Sequence, residues 1–170
     1  MGDEKTIFVG SSCDIWAYDI PYKWIERVMQ HCWKYDNVYL LQTKNPSRIT
    51  DMETLLPTRT IIGTTIETNR AYPEMGNAPP TSERAEHIMW FGRRHYITEI
   101  TIEPIMDFDI DQMLTLIGTA KPNFVNIGAN TNRKVNLPEP TNEKLKTLIF
   151  KLEQTATKVK LKSNLLRLLK

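Results

Sequence analysis

Six short apolar runs punctuate the chain, and the stretches between them space their apolar residues as a helix would. The clearest run is YITEITIEPIM, residues 96–106, in which Thr98, Ile100 and Ile102 alternate with Ile97, Glu99 and Thr101. Its β-branched residues predict a strand. Pro104 stops it, because proline has no N–H for a sheet ladder and keeps the residue before it out of the helical region. Glu103 is thereby held extended at the strand's exit. The other predicted strands are TIFVG (residues 6–10), VYLL (38–41), TIIGTTI (60–66), FVNI (124–127) and KVKL (158–161).

Helices fill the gaps. Trp24, Ile25, Val28, Met29 and Cys32 form an apolar stripe, with Asp19 as its cap and Pro21 in its first turn. A second helix opens at Pro46, runs toward Leu55 and Leu56, and is closed by Pro57. Thr81 or Ser82 caps a third, which turns Ala85, Ile88 and Met89 inward. Asp107 and Asp109 start a fourth, where negative charge suits the helix dipole; Met113, Leu114, Leu116 and Ile117 give its apolar face and Gly118 its end. Thr141 caps a fifth with the stripe Leu145, Leu148, Ile149 and Leu152, and a short apolar helix closes the chain.

Three local features stand out from this rhythm. Residues 70–80, with three prolines and Gly76, form the longest irregular segment, of a length that suits a lid or binding loop as well as a passive insertion. Arg84, His87, Arg93, Arg94 and His95 are expected to be solvated unless that loop folds over them. Gly63 inside the third strand signals a bulge or a close approach, and Asn126 inside the fifth needs a polar partner or a cavity.

Six strands, each followed by a helix or helical turn, predict an α/β protein with parallel strands. Right-handed crossovers wind such a series into an open doubly wound sheet or a partial barrel. No strand opens onto a G-x-G-x-x-G or G-x-x-x-x-G-K-[ST] loop, which favours a partial (β/α)6 barrel of TIM-barrel type over the nucleotide-binding folds.

Composition narrows the class. A chain of 170 residues, 41% hydrophobic and 25% charged, fits a single soluble globular domain spanning residues 1–170. No apolar run approaches the roughly 20 residues of a membrane span, and the opening residues lack the pattern of a signal peptide, so a cytoplasmic location is expected. Net charge is +2, from 22 basic and 20 acidic residues, which does not indicate a nucleic-acid partner. Two cysteines, Cys13 and Cys32, are too few for a disulfide framework and show no metal-ligand spacing.

The strand exits carry the candidate chemistry. In order they are Ser11, Cys13 and Asp14, then Gln42 and Lys44, then Glu67 and Asn69, then Glu103, Asn130 and Lys162. In a βα barrel all of them face one opening. Glu67, Glu103 and Lys162 are the candidate catalytic residues; Asp14, Gln42, Lys44, Asn69 and Asn130 are the candidate ligand-binding residues; no metal ligand is proposed. Two carboxylates and two lysines in such a ring can grip a zwitterionic or phosphate-bearing small molecule, or move protons. They can equally neutralise one another across the mouth.

FVGSSCDIW, VYLLQTKNPSRI, IIGTTIETN, ITIEPIM and KVKLKSNLL resemble the successive strand-exit motifs of a phage- and prophage-associated radical SAM-like family of largely unassigned function, whose fold is similar to that of spore photoproduct lyase. The resemblance runs from about Thr6 to the C-terminus, and LLQTKNPSR and TIEP are its most specific pieces. It implies a radical SAM type of partial barrel and a pocket for S-adenosylmethionine or a substrate. Members of the family bind a [4Fe-4S] cluster through a C-x-x-x-C-x-x-C triplet, and this sequence has none. A cluster would therefore come from a separate chain.

Three expectations follow. The chain is the C-terminal portion of a split enzyme, with a cluster-bearing polypeptide completing the barrel, or with self-association, along an exposed edge at the first strand. Alternatively it is a cluster-free derivative with a closed edge and a defined pocket. The third expectation is a non-catalytic interaction protein of phage origin on a decayed scaffold, with an apolar patch away from the rim.

Overall fold

The computed structural model describes residues 2–132 and 134–170. Six strands, β1 (Thr6–Val9), β2 (Val38–Thr43), β3 (Thr60–Thr65), β4 (Ile97–Ile102), β5 (Phe124–Ile127) and β6 (Lys158–Leu161), form one sheet in the spatial order of the sequence. Every neighbouring pair is parallel. The helices α1 (Tyr22–Cys32), α2 (Pro46–Asp51), α3 (Thr81–Arg93), α4 (Ile110–Ala120) and α5 (Asn142–Glu153) alternate with the strands, and a 3-10 turn, Ser163–Leu168, follows β6. The architecture is therefore α/β with an all-parallel sheet. No helix among the described residues is long and apolar enough to cross a membrane.

Sequential parallel order makes every link a crossover, and right-handed crossovers repeated in one direction place all the helices on the same face. Burial divides the strands accordingly. On the covered face Tyr39, Leu41, Ile62, Ile100, Ile102, Val125 and Ile127 are buried against Ile25, Met29, Ile49, Ile88, Phe91, Met113, Ile117, Leu145 and Leu148 of the helices. At roughly 2 kcal/mol for each fully buried side chain of this size, this layer supplies most of the drive to fold. The alternate residues form an open face. Register aligns Phe8, Leu40, Ile61 and Ile97 in one row across it, then Gln42, Gly63, Glu99 and Phe124, then Thr65, Thr101, Asn126 and Lys160. The first row is apolar and incompletely covered: Phe8 is 43% exposed and Ile97 47%.

Several local expectations are corrected. Asp19 does not cap α1; Pro21 takes that position, and no side chain caps the first turn. Trp24 lies off the inward stripe of Ile25, Met29 and Cys32 and is 64% exposed. The helix from Pro46 stops at Asp51 because Met52 leaves helical geometry, and a 3-10 turn at Glu53–Leu55 continues it. Neither Thr81 nor Ser82 caps α3, which starts after Pro80. Gly118 does not end α4; the helix runs to Ala120, and Lys121 adopts the left-handed conformation that glycine commonly supplies. Thr141 does cap α5, its side chain accepting the Lys144 N–H at 3.3 Å.

Candidate functional site

Parallel strands deliver their exits to one rim, and two charged groups form there. The first gathers around Glu67, just beyond β3. Its Oε2 accepts from Arg84 Nη1 at 2.9 Å, and its Oε1 pairs with Lys44 Nζ. Arg84, in the first turn of α3, is fully buried; its Nη1 also donates to the Thr65 carbonyl at 2.9 Å and its Nε to the Pro79 carbonyl at 2.6 Å. The end of the 70–80 loop is thus folded over a side chain that the sequence had suggested was solvated. Burial pushes the Glu67 carboxyl up, but Lys44 and Arg84 together outweigh it and hold the group below the usual glutamate value.

The second group spans three strands. Glu103 leaves β4 just before a cis peptide to Pro104 and reaches across β5 to Lys162, which follows β6. Its other oxygen accepts from Asn164 Nδ2 at 2.6 Å, and Asn164 is fixed in turn by its contacts with the backbone of Ala129. Gly128, at the exit of β5, makes the crossing feasible. A Cβ there would lie 2.5 Å from Glu103 Oε1 and 2.7 Å from its carboxyl carbon, so only a glycine lets the carboxylate lie over the strand. Lys162 keeps 41% of its side chain exposed and Glu103 23%, so both still face solvent.

Glu99 repeats this arrangement four residues, two repeats of the pleat, earlier on β4. It lies beside Gly63, where a Cβ would come within 3.0 Å of its Cγ, and accepts from Asn126 Nδ2 at 3.3 Å. Gly63 therefore marks a close approach of a side chain; pairing with β4 is continuous through it, without a bulge. Asn126 has found the polar partner its position demanded. Burial raises the Glu99 carboxyl, opposed by Asn126 and by the charges of Lys162 and Lys160. Gln42 bridges the same face, donating to Thr65 Oγ1 at 3.2 Å and accepting from Thr101 Oγ1 at 3.3 Å.

The remaining candidates serve the backbone. Asp14 accepts from the Trp16 N–H, the Thr43 hydroxyl and the Lys44 N–H, tying the loop after β1 to the end of β2. Asn69 accepts from the Asp109 N–H at 2.8 Å and donates to Asp109 and Gln112, which organises the start of α4. Asn130 donates to the carbonyls of Asn132 and Val135 and is occupied within its own loop. The rim therefore brings together Lys44 with Glu67, and Glu103 with Lys162. Each opposite-charge pair is satisfied internally, the neutralising arrangement that the sequence left open.

Sequence reasoning missed Arg84, Glu99, Gly128 and Asn164. Arg84 did carry a signal: with Ile88 and Phe91 it falls at i, i+4 and i+7, on the buried stripe of α3. Gly128 and Asn164 could be recognised only once β4, β5 and β6 were known to be adjacent.

The cysteines do not fit an iron–sulfur cluster. Cys13 is exposed and Cys32 is packed in the core, where burial raises its thiol, and among the described residues no three His, Cys, Asp or Glu are grouped to hold a metal ion. Three thiolates are needed for a site-differentiated cluster of this kind. A scan against protein-family models gave no match to the chain, and neither did searches of curated proteins and of solved structures.

Proposed function

We infer that this chain is the pocket-bearing part of a radical SAM-like system. In this reading it is a partial (β/α)6 barrel whose open face and strand-exit rim bind S-adenosylmethionine or the substrate, with any cluster carried on a separate polypeptide. The observation that carries the reading is the group of Glu103, Gly128 and Lys162: opposite charges held at one rim, over a glycine, with solvent access to both. A zwitterionic ligand offers a carboxylate to Lys162 and an ammonium to Glu103. Exchanging the existing pair for those contacts costs little, because an ion pair with this much exposure is worth about 0–1 kcal/mol. Lys44, Glu67 and Arg84 form the neighbouring, closed part of the rim, and no radical step is assigned to the residues of this chain.

The free edge of β1 supports the partner half of the reading. β1 pairs on one side with β2, and its Phe8 is 43% exposed on the open face. A strand added there, from a cluster-bearing polypeptide or a second copy, would satisfy the edge and extend the apolar row through Leu40 and Ile61. Calorimetric titration with S-adenosylmethionine tests the pocket. Heat of binding is expected for the native chain and its loss in Glu103→Ala; no heat with protein whose circular dichroism is native overturns the proposal.

A second reading, the interaction protein on a decayed scaffold, is favoured by aromatic residues turned to solvent around α1. Tyr18 is 94% exposed, and Tyr22, Trp24 and Trp33 are at least half exposed. Under it, replacing Trp24 by Ser abolishes partner capture while Glu103→Ala leaves it intact.

A further inference from the structure

Residues of α3, of α4 and of the 70–80 loop, together with Asn69, line an open groove with a volume of about 660 Å³. Volumes of roughly 300–1,000 Å³ are typical of small-molecule sites. We propose that this groove is a second binding site, for a small organic cation with an apolar body, an aralkyl or alkyl amine in chemical class.

The loop is anchored at both ends. At its start, Arg70 donates to Asp109 through Nε at 2.8 Å and Nη2 at 2.6 Å, and pairs with Asp107. At its end, the Pro79 carbonyl accepts from the buried Arg84. Between these anchors Tyr72, Met75 and Gly76, in and beside the 3-10 turn Pro73–Met75, line the groove. Tyr72, Met75, Pro79 and Leu116 give the groove apolar walls, sufficient to bury an aromatic ring or a short alkyl chain.

Charge selects the head group. Glu86 of α3 and Asp111 of α4 both line the groove. Glu86 has no ion-pair partner among the described residues, and Asp111 has only a solvent-exposed contact with Lys151 at 3.4 Å. Among the described residues Arg70 is the sole basic one in the lining, and its guanidinium is already committed to Asp107 and Asp109. The Asp109 carboxyl is held well below the usual range, chiefly by its hydrogen bond from Arg70, so that pair stays charged and closed. Apart from the neutralised Arg70 the charged groups of the lining are acidic, and an ammonium can meet either carboxylate while its apolar body lies against Tyr72 and Met75. An anion of the same shape would face two carboxylates.

Titrating 2-phenylethylamine into the ¹⁵N-labelled chain tests this, with 2-phenylethanol as the uncharged isostere. Saturable amide shifts are expected around Ser82, Glu86, Asp111 and Thr115, and the alcohol is expected to bind at least about tenfold more weakly. The double variant Glu86→Gln, Asp111→Asn should weaken the amine by about tenfold or more, and Thr115→Arg, an exposed position in the groove, should remove binding. The proposal is overturned if amine and alcohol bind alike, if the double variant binds as the native chain does, or if folded protein gives no saturable shift there. Asn69 is the one strand-exit candidate in the lining, and none of these readouts reports on Glu103 or Lys162, so failure here leaves the rim pocket standing and failure there leaves the groove standing.

Discussion

Two carboxylates leave neighbouring strands of one sheet, and the protein treats them in opposite ways. Glu67 is sealed beneath the rim between Lys44 and a fully buried Arg84. Glu103 lies over Gly128, paired with Lys162 and Asn164, and keeps about a quarter of its side chain in solvent. Position in the strand pattern is the same for both; what differs is the cover above them. The α3 arginine and the end of the 70–80 loop close over the first, whereas only a glycine stands beneath the second. A sealed ion pair holds structure together, and an open one can exchange partners with a ligand.

Substitutions at these positions test the contrast. The largest effect is expected from Glu67→Gln, which leaves the Arg84 charge buried without its counter-ion and should cost about 3–5 kcal/mol in urea unfolding. Because the folded Glu67 carboxyl is depressed, its contribution is present above the ordinary value of 4.5 and is lost as pH falls through the folded value; the native chain should therefore lose more stability on acidification than Glu67→Gln does. If Glu67→Gln costs no more than the matching change at Glu103, burial is not what separates the two.

Gly128→Ala comes next. The added methyl would sit 2.5 Å from Glu103 Oε1, so the carboxylate must move, at about 1–3 kcal/mol by thermal or chemical unfolding. Loss of ligand binding in this variant, with Glu103 and Lys162 both present, would show that the path across β5 matters and not only the charges. Glu103→Gln itself should change stability by no more than about 1 kcal/mol, because the pair is partly exposed, while abolishing the calorimetric signal with S-adenosylmethionine. A large loss of stability would place Glu103 in the same class as Glu67.

The smallest expected change is at Glu99. Burial raises its carboxyl in the folded chain, so the contribution of Glu99 to stability is fully present below the ordinary value of 4.5 and is lost as pH rises through the folded value. Glu99→Gln should raise the melting temperature at about pH 7, and the gain should vanish at about pH 4. An unchanged melting temperature at both pH values would mean that Asn126, Lys160 and Lys162 fully compensate its burial.

Much of the fold was legible from spacing. All six strands were located as short apolar runs, the fourth also by its β-branched alternation and Pro104, and β5 and β6 fell on the expected residues. Thr141 declared the start of α5 because a threonine side chain can reach an N–H three residues on. The errors lie where local rules compete. Trp24 and Ile25 are adjacent, and only packing decides which of them faces inward. Arg84 looked solvated because arginine usually is, yet it shares the face of Ile88 and Phe91.

The alternation of strands and helices, the parallel direction that follows from it, and the placement of Glu67, Glu103 and Lys162 at strand exits were all written in the order of residues, since backbone sterics and hydrophobic period act over a few neighbours at a time. Which carboxylate would be sealed and which left open was settled by contacts between segments far apart in the chain: Arg84 with Glu67, Gly128 beneath Glu103, Asn164 beside it. Desolvation depends on everything packed within a few ångströms, and no local pattern encodes that sum.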